Sequence, residues 1–156
     1  AAGLVARFGP GPVVVGPAGQ SLEGAALSVQ ATLAGLTAAP AWPAAPRPVD
    51  ADELLPERVL VGDPTARKTL LRAAYEPIAA ATGSLLETLT AYLANGRSLE
   101  AAARGLYVHP NTVRYRLRKV VDLTGWDPLV AREAYVLQTA VALGALEGAA
   151  APIVRT

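Results

Sequence analysis

The residues of this chain with the most chemistry to offer stand close together between Arg97 and Val120, in the stretch SLEAAARGLYVHPNTVRYRLRKV and the arginine before it. Arg97, Arg104, Arg114, Arg116, Arg118 and Lys119 face a single acid there, Glu100, for a local charge of +5 in a chain whose formal net charge is +1. The residues before this stretch sum to −2, and so do those after it. Guanidinium and ammonium groups pair with phosphate, and a local cluster of them is the electrostatic footprint expected of a polyanion partner. Interleaved with them are Asn111, Thr112 and Tyr115, whose amide and hydroxyl groups can hydrogen-bond base edges. A basic run on its own is more often a solvated helix face, so the helices beneath it decide between the two readings.

Catalytic chemistry finds little support in the same sequence. There is no cysteine, which excludes disulfides, thiolate metal sites and cysteine nucleophiles and fits a reducing compartment. The single histidine, His109, excludes multi-histidine metal sites. No G-x-S-x-G, H-E-x-x-H or glycine-rich dinucleotide fingerprint occurs, and no GGDEF or GGEEF string. One near match is GDPTARKT at residues 62–69, which meets the Walker A spacing at every fixed position but one. The failing position is the second glycine, here Arg67, and Pro64 removes a donor from a loop that must wrap phosphate with backbone N–H groups. Asp63 followed by Pro64 reads instead as the N-cap and first residue of a helix. No catalytic, cofactor-binding or metal-binding residue is assigned, and the chain is expected not to be an enzyme.

The basic and polar residues need elements that hold them in one array. Leu99 to Leu106 reads as a short, Ala-rich helix whose Ala102 and Ala103 would let a second helix cross closely. Tyr107, Val108 and His109 form a turn, with Val108 pointing inward. Pro110 takes the first position of a second helix, where its missing N–H costs nothing, and His109 stands where an N-cap belongs, which favours capping over phosphate contact. Val113, Leu117 and Val120 follow at i, i+4 and i+7, so one narrow face packs inward. The opposite face carries Asn111, Thr112, Tyr115, Arg118 and Lys119, with Arg114 and Arg116 on its flanks. Two short helices, a three- or four-residue turn and a basic polar face on the second form the layout of a helix-turn-helix with its recognition helix. In that layout Asn111, Thr112, Tyr115 and Arg114 meet bases, while Arg118, Lys119, Arg97 and Arg104 meet phosphates.

Around this unit the chain reads in two parts. LVARF at 4–8 and PVVVG at 12–16 are β-prone pieces broken by Gly9-Pro10-Gly11-Pro12. Ser21 reads as the N-cap of a helix in which Leu22, Ala25, Ala26, Val29, Leu33 and Leu36 recur at amphipathic spacing. Pieces of this size cannot close a sheet, so they read as the end of an α/β domain whose other strands lie before Ala1. The absence of an initiator Met fits a piece of a longer polypeptide, with a sensor expected upstream.

TAAPAWPAAPRPV at 37–49 carries four prolines and no helical period and reads as an extended connector or loop. Beyond it the pattern is helical. Asp50 caps a short turn through Leu55. A helix from Asp63-Pro64 has Leu71, Tyr75 and Ile78 on its buried stripe and is kinked or ended by Pro77. Another starts near Ser84, turns Leu85, Leu89 and Tyr92 inward, backed by Leu86 and Leu93, and stops at Gly96. A last helix, opened by Asp127 and Pro128, places Val136, Ala140 and Leu143 on one face with Leu137 and Val141 beside them, and frays from Glu147. Trp42 and Trp126 read as packing residues. Every apolar stretch falls short of the roughly 18 to 20 residues of a membrane span, and no basic segment precedes a signal-peptide core.

LLETLTAYL at 85–93, SLEAAARGLYVHPNTVRYRLRKV at 98–120 and the Thr124-Gly125 pair strongly resemble the C-terminal helix-turn-helix domain of the PucR family of bacterial transcription regulators, over residues 84–146. Residues 1–80 are a looser match to the degenerate GGDEF-like segment and linker that precede this domain in such regulators. The resemblance implies a helix-turn-helix similar to that of Fis-type nucleoid proteins, a second helix in the major groove, and assembly as homodimers or higher oligomers. One departure is Tyr107, at a turn position where glycine is common, which requires a tolerated backbone angle or a wider turn.

The chain is therefore expected to be mainly α, an all-helical, Fis-like helix-turn-helix domain preceded by a partial α/β segment. Residues 1–48 would be the remnant of the GGDEF-like module with its Pro-rich linker, and 49–156 the helical domain with the helix-turn-helix at 98–120. Its expected role is sequence-specific binding of double-stranded DNA as the cytoplasmic, nucleoid-associated output domain of a regulator whose small-molecule effector binds an upstream domain. The rival is a protein-interaction or oligomerisation module that has lost DNA binding.

Overall fold

The computed structural model describes residues 8–150, and of Ala150 only the backbone; Leu4 to Arg7 of the expected first strand, and residues 151–156 of the end expected to fray from Glu147, lie outside the described residues. The chain divides into two compact units, residues 1–69 and 70–156.

In the first unit, β1 (Val14–Val15), α1 (Leu22–Ala38), a 3-10 turn (Ala39–Ala41) and β2 (Val49–Asp50) follow in order. The strands pair in parallel, Val14 opposite Val49 and Val15 opposite Asp50, so α1 lies in the crossover that parallel strands require. The PVVVG piece thus finds its partner across the Pro-rich segment. Of the two readings of that segment, connector or loop, the structure has the loop: it folds back within the unit, with Trp42 and Ala45 packed against Ala39, Val49 and Leu54. Periodicity gives no sign of β2, because two residues beside prolines show no alternation. Arg47 ties down the Gly-Pro-Gly-Pro turn, donating to the carbonyls of Gly9, Gly11 and Phe8 at 2.5, 2.8 and 3.3 Å. A boundary at 48/49 would fall beside β2, which the ladder holds to the residues before it; the compact units part between Thr69 and Leu70.

The apolar stripe of α1 faces away from the rest of its unit. Ser21 caps the helix as expected, its Oγ accepting from the Gly24 N–H at 3.0 Å. The buried residues, however, are Ala31, Gly35 and Ala38. Leu22, Val29, Leu33 and Leu36 are 92, 58, 60 and 38% exposed. The close approach of β1 explains the inversion: a Cβ on Gly35 would come within 2.8 Å of Val14 Cγ1. Only small residues fit between helix and strand, and the leucines turn outward.

After β2 come a second 3-10 turn (Ala51–Leu54) and α2 (Leu55–Leu60). Asp50 occupies the N-cap position of the 3-10 turn, though its side chain makes no capping bond. Arg58 is 2% exposed and fully matched. Its Nε and Nη2 each lie 2.9 Å from Asp63 Oδ2, and its Nη1 donates to the Ala51 carbonyl at 3.0 Å with Asp52 at 3.5 Å. The other oxygen of Asp63 accepts from the Thr65 and Ala66 N–H groups at 2.8 and 3.2 Å and caps α3 (Pro64–Leu70). The Walker-like stretch is therefore a capped helix start, and its carboxylate is held by a buried arginine.

The second unit contains a π-helical turn (Leu71–Tyr75), α4 (Glu76–Ala80), α5 (Leu85–Ala94), α6 (Leu99–Gly105), α7 (Pro110–Thr124) and α8 (Ala131–Ala150). The π turn is how the chain accommodates Pro77. The Glu76 N–H donates five residues back to the Leu71 carbonyl, and the widened turn relieves the clash of the proline ring with the carbonyl four residues before it. α8 packs on this turn. A Cβ on Gly144 would overlap the Tyr75 ring, so the glycine makes the contact possible. Asp127 and Pro128 form a turn instead of opening α8: Asp127 accepts from the Leu129 N–H at 2.8 Å and the Val130 N–H at 3.0 Å, and Glu133 reaches back to the Asp127 N–H. Val136, Leu137, Ala140 and Leu143 are buried as their spacing indicates, and the helix runs on past Glu147 to Ala150. Among the described residues no helix is long and apolar enough to cross a membrane, and no group of three or more His, Asp or Glu is placed to hold a metal.

Candidate nucleic-acid interface

α5 is the platform on which the two-helix unit rests, since α6 and α7 pack on each other and both pack on α5. Leu85, Thr88, Leu89 and Tyr92 are its buried face, as the spacing of three of them predicts. Burial holds the Tyr92 phenol above its ordinary pKa of about 10; the positive charge of Arg97 works against this shift and Asp127 adds to it. The helix ends in a Schellman turn, with Gly96 at φ +64° and the Arg97 N–H bonded to the Tyr92 carbonyl at 2.9 Å. That turn delivers the exposed Arg97 to the start of the next helix.

Ser98 caps α6, accepting from the Ala101 N–H at 3.2 Å. Ala102 and Ala103 are 0 and 2% exposed, small enough to let α7 cross. A second Schellman turn closes α6: the Tyr107 N–H bonds to the Arg104 carbonyl at 3.2 Å and the Val108 N–H to the Ala103 carbonyl at 3.0 Å. Tyr107 takes the left-handed position at φ +55°, so the turn is not widened and the residue tolerates the angle. Its side chain is 96% exposed.

His109 then caps α7, its Nδ1 accepting from the Asn111 N–H at 3.2 Å, which places its remaining proton on Nε2. Pro110 is the first helical residue, and Val113, Leu117 and Val120 are the buried face, as expected. At 100° per residue the side of α7 away from them is centred on Asn111, Arg114, Tyr115 and Arg118, all exposed, with Lys119 exposed at its edge. Thr112 is half-buried on the flank. From Asn111 to Lys119 the array is about 12 Å long, close to the width of the major groove, about 12 Å.

Local contacts set what each side chain can do. Asn111 Oδ1 accepts from Arg114 Nη1 at 2.7 Å, so these two present their polar groups as a coupled pair. Lys119 Nζ lies 5.8 Å from the centre of the Tyr115 ring and 3.8 Å from Asp122 Oδ2. Asp122 is exposed on the same side, and the sequence reading leaves it out although it stands three residues after Lys119; it softens the positive charge at that end of α7. Arg116 turns the other way. It is half-buried and donates Nη1 to the buried Thr88 Oγ1 at 3.1 Å, while Thr88 donates to the Ser84 carbonyl at 2.7 Å. Of the residues assigned from sequence, the structure therefore exposes Arg97, Arg104, His109, Asn111, Arg114, Tyr115, Arg118 and Lys119 and engages Arg116 in holding α7 to α5. Elsewhere, a hollow of about 430 Å³ in the first unit is lined by residues including Leu27, Gln30, Thr37, Arg58 and Asp63. The cation in that lining, Arg58, is already matched, so it offers no charge to a ligand.

Residues 85–143 match the PucR C-terminal helix-turn-helix domain. Uncharacterized proteins of Mycobacterium bovis and Mycobacterium tuberculosis are each 49% identical over 143 residues, covering 92% of this chain and 34% of their own length. A crystal structure of a regulator of polyketide synthase expression from Bifidobacterium adolescentis superposes with a TM-score of 0.86 at 40% identity, covering 94% of this chain and 58% of that one. The chain thus spans about a third of the length of these mycobacterial relatives.

Proposed function

From the match of residues 85–143 to the PucR C-terminal helix-turn-helix domain, we propose that the chain is the sequence-specific, DNA-binding output part of a transcription regulator of that family. The observation that carries this reading is the array on α7. Amide, phenol and guanidinium groups are exposed opposite the buried Val113, Leu117 and Val120, on a helix held by a short turn against α6. A solvated surface helix needs no such array of groups able to read bases, and a helix pairing with another protein would put apolar residues there. The similar regulator of polyketide synthase expression supports the same reading. In this proposal α7 enters the major groove, the exposed cations grip the backbone, effector binding belongs to another part of the polypeptide, and no enzymatic step is involved.

The test is a titration with duplexes from the region upstream of the protein's own operon, against an unrelated duplex, at several salt concentrations. With Arg116 engaged by Thr88, about four cations per copy remain for phosphates, namely Arg97, Arg104, Arg118 and Lys119. Log K should then fall with log salt with a slope of about −3.6 per copy. A flat salt dependence, or equal affinity for both duplexes, would leave the interaction-module alternative standing.

A further inference from the structure

The exposed side chains at the start of α7 offer hydrogen-bond donors and almost no acceptors. Arginine donates and never accepts, so the 2.7 Å contact from Arg114 Nη1 fixes which end of the Asn111 amide is the oxygen and engages it. What remains of that amide is Nδ2, a donor. At the cap, His109 Nδ1 accepts from the Asn111 N–H at 3.2 Å, so the free nitrogen of the ring, Nε2, carries a proton and donates as well. No carboxylate occurs from His109 to Lys119, and the hydroxyls of Thr112 and Tyr115 are the other side-chain groups there that can accept. Arg114 forms no ion pair among the described residues, and its bond to Asn111 uses a single N–H group on Nη1. The edge made by Nε and Nη2, with its parallel N–H groups, stays open as an intact fork.

Base edges differ in the pattern they set against such donors. In the major groove guanine offers acceptors at both N7 and O6, whereas adenine sets an N6 amino donor beside its N7 acceptor and cytosine shows its N4 amino donor. A free asparagine reads adenine because its amide supplies a donor and an acceptor side by side. Asn111 has committed its acceptor to Arg114. We infer that Asn111 and Arg114 act together as one guanine reader. Arg114 sets its Nε and Nη2 edge on N7 and O6 of a guanine facing the N-terminal half of α7, and Asn111 is the positioning residue that holds the guanidinium for it. Adenine or cytosine in that place would press an amino group against N–H groups, leaving donors on both sides unpaired, which is what makes the choice of base steep. The inference rests on the DNA-binding reading and adds to it the base that is read.

The experiment uses the whole chain, a selection from a pool of randomised duplexes, and competition titrations in which each base pair of the selected site is changed in turn. At one position per bound copy, G·C should be preferred over A·T by about 10- to 100-fold, the worth of one good bidentate contact. There 7-deazaguanine, which pairs normally but lacks the N7 acceptor, should bind about tenfold more weakly than guanine. Arg114→Ala frees Asn111 Oδ1, so the preference at that position or the one beside it should turn from guanine to adenine. Asn111→Asp supplies a carboxylate that still holds Arg114 and should keep guanine preferred, while Asn111→Ala lowers the preference. Both residues are exposed, and unchanged circular dichroism and melting would show that the variants are folded. Adenine preferred by the wild-type chain at the position these variants govern, indifference to 7-deazaguanine, a guanine preference that survives Arg114→Ala, or equal losses in Asn111→Asp and Asn111→Ala would overturn the inference. A selected site in which no position depends on Arg114 would sink this inference alone. A pool from which no sequence is enriched would sink the proposed function, and the guanine reader with it.

Discussion

Replacing Asn111 by Ala takes away the first polar group that α7 presents beyond its cap and releases Arg114 from its 2.7 Å bond to Asn111 Oδ1. A well-made side-chain contact to a base edge is worth about 1–3 kcal/mol of discrimination. Because Arg114 loses its anchor at the same time, the loss should sit in the upper half of that range, about 2–3 kcal/mol, or roughly 30- to 150-fold. Tyr115→Ala, removing a ring that is 62% exposed on the same face, should cost about 1–3 kcal/mol of discrimination. Lys119 stands two turns further on, already 3.8 Å from Asp122 and 5.8 Å from the Tyr115 ring, so its charge is partly answered within the protein. Lys119→Ala should lower affinity for matched and mismatched duplexes together by about 1 kcal/mol and reduce the salt slope by about 0.9. Competition titrations of each variant on both duplexes, at two salt concentrations, measure the ratio and the slope directly. If Lys119→Ala changed the ratio while Asn111→Ala and Tyr115→Ala preserved it, the orientation of α7 on DNA would be the reverse of the one argued from its N-terminal array.

Three further outcomes are expected. In Gly144→Ala the roughly 1 kcal/mol gain in helix propensity is outweighed by overpacking against Tyr75, for a net destabilisation of about 1–2 kcal/mol in thermal melts, and Tyr75→Leu in the same chain should recover most of it. Tyr107→Gly relieves a left-handed residue at φ +55° at the expense of a more flexible unfolded chain, so stability should rise by about 0.5–1 kcal/mol; a drop in the melting temperature would show that the exposed ring supports the turn. Native Tyr92 keeps its proton to higher pH than the unfolded chain does, so its contribution is fully present below about pH 10 and is lost as the pH rises through the native value. Tyr92→Phe should therefore flatten the alkaline limb of a pH–stability curve, and an unchanged limb would place that linkage elsewhere.

Local pattern alone was enough to locate the two-helix unit and its inward faces. Val113, Leu117 and Val120 on α7, and Leu85, Leu89 and Tyr92 on α5, are buried because a 3.6-residue repeat admits one apolar side on each of these helices. Ser21 and Asp63 announce their caps by residue type and His109 by its place before Pro110, since each supplies an acceptor to N–H groups that no helix can satisfy internally. The 97–120 charge cluster is likewise a property of the sequence. Tertiary contact decided the rest. Periodicity found the leucine stripe of α1 but not the direction it faces, because both sides of that helix are apolar and the tight approach of Val14 at Gly35 selected the small one. The two-residue β2 exists only through its ladder with β1, formed across more than thirty residues of intervening chain. Arg116 could not be told from its exposed neighbours, since a long side chain at the edge of a helix goes where a partner waits, and that partner is Thr88, 28 residues away. The fit of Gly144 under the Tyr75 ring is likewise invisible in the sequence, because a glycine within a helix looks only like a weak point until the ring that occupies its missing side chain is in place.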